Sequence, residues 1–186
     1  QLSSKAVIFG LRCLGAVLVI LGASGFGISM AVQYTKRLSQ LEQLRRMIFL
    51  LKGQIVYANA SLPEAFEAVG KREKGPLGAL FLAAAKQAET LEEANFSAVW
   101  EQEIGKLEEK NGREQSALSR SDRQSLAGLG RHLGFLDREM QERNLLLYLE
   151  ELDEQIAQLR GHRQETCRLY TSLGVMGGIF LAVILI

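Results

Sequence analysis

The residues with the chemistry for metal binding or catalysis are few and scattered. The chain has two histidines, His132 and His162, and two cysteines, Cys13 and Cys167. Glu165, three residues after His162, gives one weak ligand pair, a spacing more typical of a solvated helix face. The sequence has no HExxH motif, P-loop or pair of Glu-x-x-His motifs. We therefore predict no catalytic residue, no metal site and no cofactor, and we do not expect an enzyme.

The charged residues are confined to the middle of the chain. Of the 186 residues, 1–32 contain only Lys5 and Arg12 as charged residues, and 172–186 contain none. Residues 33–171 therefore hold 20 of the 22 basic residues and all 21 acidic residues, a net charge of −1. A nucleic-acid-binding domain usually has a basic surplus, so nucleic acid is not an expected partner.

The two uncharged ends have the length of membrane helices. Cys13 to Val32 is a run of 20 uncharged residues, which as a helix spans about 30 Å, the thickness of a hydrocarbon core. A cleaved signal peptide is the alternative for this run. Ser172 to Ile186 spans about 22 Å, or about 27 Å if the helix starts at Leu169. We expect an N-terminal span in 1–32, a middle domain at 33–171 and a C-terminal span in 172–186. Two separate thiols are favoured over a disulfide between Cys13 and Cys167.

The flanking charges predict the topology of these spans. Basic residues are concentrated on the side of the middle domain, and only Lys5 and Arg12 lie beyond the outer ends. The positive-inside rule therefore places residues 33–171 in the cytoplasm. The basic residues on the inner side are Lys36, Arg37, Arg45, Arg46, Lys52, Arg160, Arg163 and Arg168.

Both predicted spans contain small residues at four-residue spacing, which allows helix backbones to approach closely in lipid. Glycine and alanine are also common in membrane helices without such contacts, and that alternative stays open. The candidates for membrane-helix packing are Ala23, Gly27 and Ala31 in the first span and Gly174 and Gly178 in the second.

The composition of the middle domain predicts helices rather than strands. Residues 33–171 have only seven valines and isoleucines, and leucine, alanine, glutamate, glutamine and arginine, all good helix formers, dominate. Heptad-like apolar spacing marks a long first helix and a long last helix. The first series is Leu41, Leu44, Ile48, Leu51, Ile55 and Ala58, and the second is Leu145, Leu149, Leu152, Ile156 and Leu159.

Capping signals place shorter helices between the two long ones. Ser61 with Glu64 has the pattern of a capping box, and so does Ser121 with Gln124. Lys74-Gly75-Pro76 separates two helices, and Asp137 is placed to cap the last one. The prediction is an all-α fold, an antiparallel bundle of about six helices. Its first and last helices continue into the N- and C-terminal transmembrane segments.

Two charged clusters are most simply solvated helix faces. Arg45 and Arg46 are adjacent on the first long helix, and Glu150, Glu151, Asp153 and Glu154 lie on the last one. Partner contacts are the alternative for both clusters.

The order of these features resembles one known family, the stage III sporulation protein AB family of endospore-forming bacteria. The resemblance covers nearly the whole chain apart from the polar stretch 111–121. It is carried by Leu14-Gly15-Ala16-Val17-Leu18, residues 41–51 with Arg45, Ser61-Leu62-Pro63-Glu64-Ala65-Phe66, Gly75-Pro76, Leu133-Gly134 with Asp137 and Gln141, and Tyr170-Thr171-Ser172-Leu173-Gly174.

The resemblance implies a structural role. The family looks like the cytoplasmic bundle of the inner-membrane platform protein of type II secretion systems. It implies a subunit of a channel complex between mother cell and forespore, in the outer forespore membrane, with residues 33–171 facing the mother-cell cytoplasm. The implied partners are a cytoplasmic secretion-type ATPase and other sporulation channel membrane proteins. Self-association is a further expected contact of the chain.

The candidate residues for docking these partners are Arg45, Glu64 and Pro76. Two other functions stay open from the sequence alone. One is a membrane-anchored helical sensor or signalling protein that dimerises as a coiled coil through the two heptad-like series. The other is a membrane enzyme whose site forms only within a complex.

Overall fold

The described part of the chain contains two long helices and four short ones. The computed structural model describes residues 32–89, 96–107, 116–133 and 137–185, with the backbone alone for 132 and 162–185. Within these ranges every regular element is a helix, which agrees with the predicted all-α class. The helices are α1 (32–56), α2 (Leu62–Gly70), α3 (Pro76–Ala88), α4 (Phe96–Lys106), α5 (Arg120–Leu133) and α6 (Arg138–Leu185).

The chain forms two compact units. A bundle unit comprises Lys36–Gln158, and a terminal unit comprises Gln1–Thr35 and Leu159–Ile186. In the described part of the terminal unit, the Tyr34 hydroxyl donates a hydrogen bond of 3.1 Å to the backbone carbonyl of Leu159. This bond ties the beginning of the described chain to α6, 125 residues further on.

The predicted apolar series on α1 and α6 form the centre of the bundle unit. On α1, Leu41, Leu44, Ile48 and Leu51 have no exposed surface, and all five predicted positions of α6 are buried. Ala58 was wrongly included in the series. The helix ends at residue 56, where the chain turns through Asn59 with φ of 56°, so Ala58 is exposed.

Four aromatic rings make a second centre between the short helices. Phe66 of α2 lies 4.9 Å from Phe81 of α3 and 5.2 Å from both Phe96 and Trp100 of α4, measured between ring centroids. The Trp100 indole N–H donates to the carbonyl of Leu126 at 2.8 Å, which joins α4 to α5. Burying several aromatic rings contributes strongly to stability, and the indole donor requires a partner in the core.

Capping residues set where the helices begin. The capping box of Ser61 and Glu64 at α2 is confirmed, and the predicted break at Lys74-Gly75-Pro76 lies between α2 and α3, with Pro76 as the first residue of α3. Asp137 accepts from the backbone N–H of Met140 at 2.9 Å and caps α6. The predicted box of Ser121 and Gln124 is wrong, because α5 already begins at Arg120.

Ser119 and Asp122 form the capping box of α5 instead. The Ser119 N–H donates to Asp122 at 2.8 Å, and the Asp122 N–H donates to the Ser119 hydroxyl at 3.1 Å. The sequence pattern hid this box because its third helical residue is Asp, whereas the usual motif has Glu or Gln there.

The predicted membrane spans fall mostly where side chains are not described. Residues 1–31 lie outside the described residues, and α6 continues as helix through Leu185. Among the residues that were searched, no helix combines the length and the apolar character needed to cross a membrane. The two spans therefore stay a prediction from the sequence.

Two glycines of α5 give a test of the packing around Trp100. A Cβ atom built on Gly130 would lie 1.9 Å from Cδ1 of Trp100, whereas one on Gly128 would meet nothing within 4 Å. We expect Gly130→Ala to lower the free energy of unfolding by about 1–3 kcal/mol through overpacking. Gly128→Ala should raise it by up to about 1 kcal/mol, since alanine is the better helix former.

Denaturant unfolding followed by tryptophan fluorescence measures both variants, because Trp100 is the single tryptophan of the chain. Equal changes in the two variants would show that the contact between Gly130 and the indole does not constrain the core.

Candidate partner-docking surface

The side chains with metal-binding chemistry do not cluster in the described structure. Among the residues searched, no group of three or more His, Cys, Asp or Glu side chains could hold a metal ion. The side chains of His132, His162, Glu165 and Cys167, and all of Cys13, lie outside the described residues. The other candidate residues from the sequence whose side chains are described are the three predicted docking residues.

Arg45, the first predicted docking residue, is paired with α6. Its guanidinium makes a two-pronged hydrogen bond with the Asp153 carboxylate, from Nε to Oδ1 and from Nη2 to Oδ2, the latter at 2.8 Å. Both side chains are about half exposed. The hydrogen bond to Asp153 raises the pKa of Arg45 above its ordinary value. Because a two-pronged pair fixes the relative orientation of its two groups, it defines how α1 and α6 are aligned along their length.

A second ion pair joins the same two helices. Lys52 Nζ lies 3.5 Å from the Glu142 carboxylate and 5.7 Å from the ring centroid of Tyr57. Lys52 follows Arg45 on α1, whereas Glu142 precedes Asp153 on α6. The two helices are therefore antiparallel, and the two ion pairs form two levels along them.

Two exposed apolar side chains lie between these levels. Phe49 is 58% exposed and Leu146 is 47% exposed. Phe49 follows Arg45 by four residues and precedes Lys52 by three, and Leu146 follows Glu142 by four residues and precedes Asp153 by seven. These spacings put each residue on the same stripe as its ion-pair neighbours. We call this surface the paired-helix face; it comprises Arg45, Phe49 and Lys52 of α1 and Glu142, Leu146 and Asp153 of α6.

Glu64, the second predicted docking residue, lies in the exposed first turn of α2. Its carboxylate accepts from the Ser61 backbone N–H at 3.0 Å. The hydrogen bonds from the Ser61 side chain and backbone lower the pKa of Glu64 below its ordinary value. The carboxylate therefore stays charged near neutral pH and is available at the surface as well as in the cap.

Pro76, the third predicted docking residue, opens α3 after Gly75, which has φ of 84°. The turn before it is anchored to α1, because the Gln43 amide donates to both the Glu73 carboxylate and the Lys74 carbonyl at 2.9 Å. Glu64 and Pro76 begin consecutive helices and therefore lie at opposite ends of the α2–α3 hairpin. The structure does not bring the three predicted docking residues together in one cluster.

The predicted membrane-packing residues lie where side chains are not described. Ala23, Gly27 and Ala31 lie outside the described residues, and Gly174 and Gly178 lie in the part of α6 that is described as backbone alone.

One polar site within the bundle was missed in the sequence. The Asp122 side chain is almost fully buried, and both its oxygens accept from the Arg37 guanidinium at 2.8 Å. Burial raises the pKa of Asp122, but the hydrogen bonds from Arg37 and Ser119 outweigh burial and hold it below the ordinary value. The available signal was a serine three residues before an acid, ahead of an apolar series.

A second buried carboxylate lies between α3 and α4. Glu103 is 5% exposed and accepts hydrogen bonds from the Gln87 amide and the Lys106 ammonium group. Its two partners satisfy the charge locally, which is the usual condition for a carboxylate inside a protein. The sequence placed Glu103 among ordinary helix formers and gave no sign of its burial.

The described fold defines a class of protein, an all-α helical bundle. The chain belongs to the stage III sporulation protein AB family, whose sequence pattern it matches over residues 12–186. It is 29% identical to stage III sporulation protein AB of Bacillus subtilis (strain 168), over 94% of this chain and 99% of the relative.

A solved structure of a stage III sporulation protein AB has the same fold. It aligns with a TM-score of 0.61 and 25% identity, over 70% of this chain and 98% of the solved chain. The family resemblance seen in the sequence is therefore confirmed. The family is one of sporulation proteins rather than a known enzyme family.

The pair of Arg37 and Asp122 makes stability depend on pH. We expect Asp122→Asn to lower the free energy of unfolding by about 1–3 kcal/mol at neutral pH, since it removes the buried negative charge that the Arg37 guanidinium binds. The folded pKa of Asp122 lies below the unfolded one, so its stabilisation is complete above the unfolded pKa, about 3.9. The stabilisation disappears as pH falls through the folded pKa.

Urea unfolding of the wild type and the variant as a function of pH measures this difference. Asp137→Asn is the matched control, because it makes the same substitution at an exposed cap where asparagine serves equally well. A difference between Asp122→Asn and the wild type that stays constant down to low pH would contradict the assignment.

Proposed function

We propose that this protein is a non-enzymatic platform subunit of a secretion-like channel complex between mother cell and forespore. The observation that carries the proposal is the brace between α1 and α6. Two ion pairs fix these helices in antiparallel register, and both of the chain's terminal segments continue from them. Such a brace suits a subunit that transmits force or position between partners. Family membership supports a role in sporulation.

We also propose that the terminal segments 1–32 and 172–186 anchor the chain in the outer forespore membrane. The supporting observations are the uncharged lengths of these segments and the basic residues that follow the first and precede the second. Residues 36 and 158, where the bundle unit ends, lie at the same end of the antiparallel pair of α1 and α6. Both segments can therefore enter one membrane while the bundle faces the mother-cell cytoplasm.

The proposed cytoplasmic partner is a secretion-type ATPase. The residues of this chain proposed to dock it are Glu64 and Pro76. Glu64 presents a charged carboxylate in an exposed turn, and Pro76 is partly exposed at a turn that Gln43 anchors to α1. A rigid turn and a fixed charge lose little entropy on binding. Arg45, the other predicted docking residue, belongs to the separate paired-helix face.

We expect Glu64→Lys to weaken binding of the ATPase of the same system by at least about tenfold, since it reverses the charge presented to the partner. Glu64→Gln keeps an oxygen acceptor for the Ser61 N–H, so it tests the charge without removing the cap. Affinity is measured by titrating the full chain, held in detergent or nanodiscs, with the purified ATPase.

Glu154→Lys is the control for a general charge effect, since Glu154 is an exposed glutamate on α6 rather than on α2 or α3. Wild-type affinity in Glu64→Lys and in Pro76→Ala would show that the docking surface is elsewhere. A wild-type chain that fails to bind the ATPase even at about 100 μM, above the usual range for specific complexes, would contradict docking of the motor itself.

A further inference from the structure

Charged and apolar side chains alternate along the paired-helix face, and part of this surface is exposed to solvent. About half of the Arg45 and Asp153 side chains is exposed, whereas Lys52 is only 13% exposed and Glu142 33% exposed. Between the two ion pairs, more than half of Phe49 and nearly half of Leu146 is exposed. Apolar side chains that are grouped and rimmed by charges are typical of protein contact surfaces.

The two helices of this face carry opposite charge. From 36 to 52, α1 has one acidic residue, Glu42, among five basic ones: Lys36, Arg37, Arg45, Arg46 and Lys52. From 139 to 154, α6 has one basic residue, Arg143, among six acidic ones: Glu139, Glu142, Glu150, Glu151, Asp153 and Glu154. On the paired-helix face itself, the charged residues of α1, Arg45 and Lys52, are basic and those of α6, Glu142 and Asp153, are acidic, so the boundary between the two charges runs between the helices.

We propose that a second copy of this chain docks on the paired-helix face, related to the first by a two-fold axis parallel to α1 and α6. Such an axis places α1 of each copy beside α6 of the other. A surface of one basic and one acidic half is complementary to itself under this rotation, which is the requirement for an isologous contact.

The levels of the face match across the proposed axis. A rotation about an axis parallel to the helices keeps every residue at its own height. Arg45 of one copy therefore lies at the same height along the axis as Asp153 of the other copy, and Lys52 lies at the same height as Glu142. Phe49 and Leu146 of both copies form an apolar layer between the two charged levels. Neighbouring helices remain antiparallel, as in a four-helix bundle.

Self-complementarity is the reason for assigning this face to a second copy rather than to another protein. The rotation also keeps residues 36 and 158 of both copies at the same end of the assembly. The proposed contact involves the bundle unit alone and does not rest on ATPase docking.

Sedimentation velocity of the full chain in detergent, at protein concentrations from about 1 to 100 μM, the range of moderate protein affinities, tests the proposal. The wild type should show a concentration-dependent dimer. The double variant Phe49→Asp with Leu146→Asp should weaken dimerisation by at least about tenfold, because it places four carboxylates in the apolar layer. Circular dichroism checks that the double variant remains folded.

Leu147→Asp is the matched control. Leu147 is 56% exposed on the same helix but lies about 100° around it from Leu146, so it should dimerise like the wild type. A wild type that is monomeric throughout, or a dimer that resists the double variant, would overturn the proposal. Loss of dimer in Leu147→Asp alone would overturn it as well, since it would place the contact on another face.

A charge exchange gives a second, independent test. In Arg45→Asp with Asp153→Arg, the pair within each copy is restored with opposite polarity. Two copies of this variant should dimerise as the wild type does. In a mixed pair, however, the substituted positions 45 and 153 of the variant lie opposite Asp153 and Arg45 of the wild type, so like charges face each other. We expect affinity-tagged wild type to capture untagged wild type at least about tenfold better than the exchanged variant. Equal capture of the two would overturn the proposal.

Discussion

The bundle depends on one constraint, the complete burial of the apolar stripe of α1. Leu41, Leu44, Ile48 and Leu51 have no exposed surface, so other elements must cover this helix along several turns. Burial alone is non-directional and does not fix register. Polar contacts at the edges of the stripe supply the direction, with α5 held through Arg37, the turn before α3 through Gln43 and α6 through Arg45.

This arrangement separates the internal chemistry of the protein from its outer surfaces. Asp122 and Glu103 are buried and satisfied by partners within the bundle, so they stabilise the relative positions of helices. The surface charges are organised differently. Arg45 and Asp153 brace two long helices, and Glu64 caps a short one, while each stays accessible. A subunit of this kind offers several fixed surfaces at once, which suits the proposed assembly around a motor and a second copy.

The predictions from the sequence were correct where a structural feature depends on a local residue pattern. The spacing of Leu145, Leu149 and Leu152 predicted the buried side of α6, because helical periodicity alone decides which residues share a face. The capping box of Ser61 and Glu64 was found for the same reason, since its partners are three residues apart. The sequence did not show which residues are neighbours of the predicted docking residues Arg45, Glu64 and Pro76. In the structure these three residues lie on different surfaces.

The helical class, the two long apolar series, the start of α2 and the family were all predictable from local residue patterns. These follow from residue preference, period and order along the chain. The packing of the helices was needed to show that Asp122 is buried against Arg37, 85 residues away, and that Arg45 pairs with Asp153. Contacts between residues so distant in sequence depend on how helices pack, and packing is set by the shape of the whole core rather than by any local pattern.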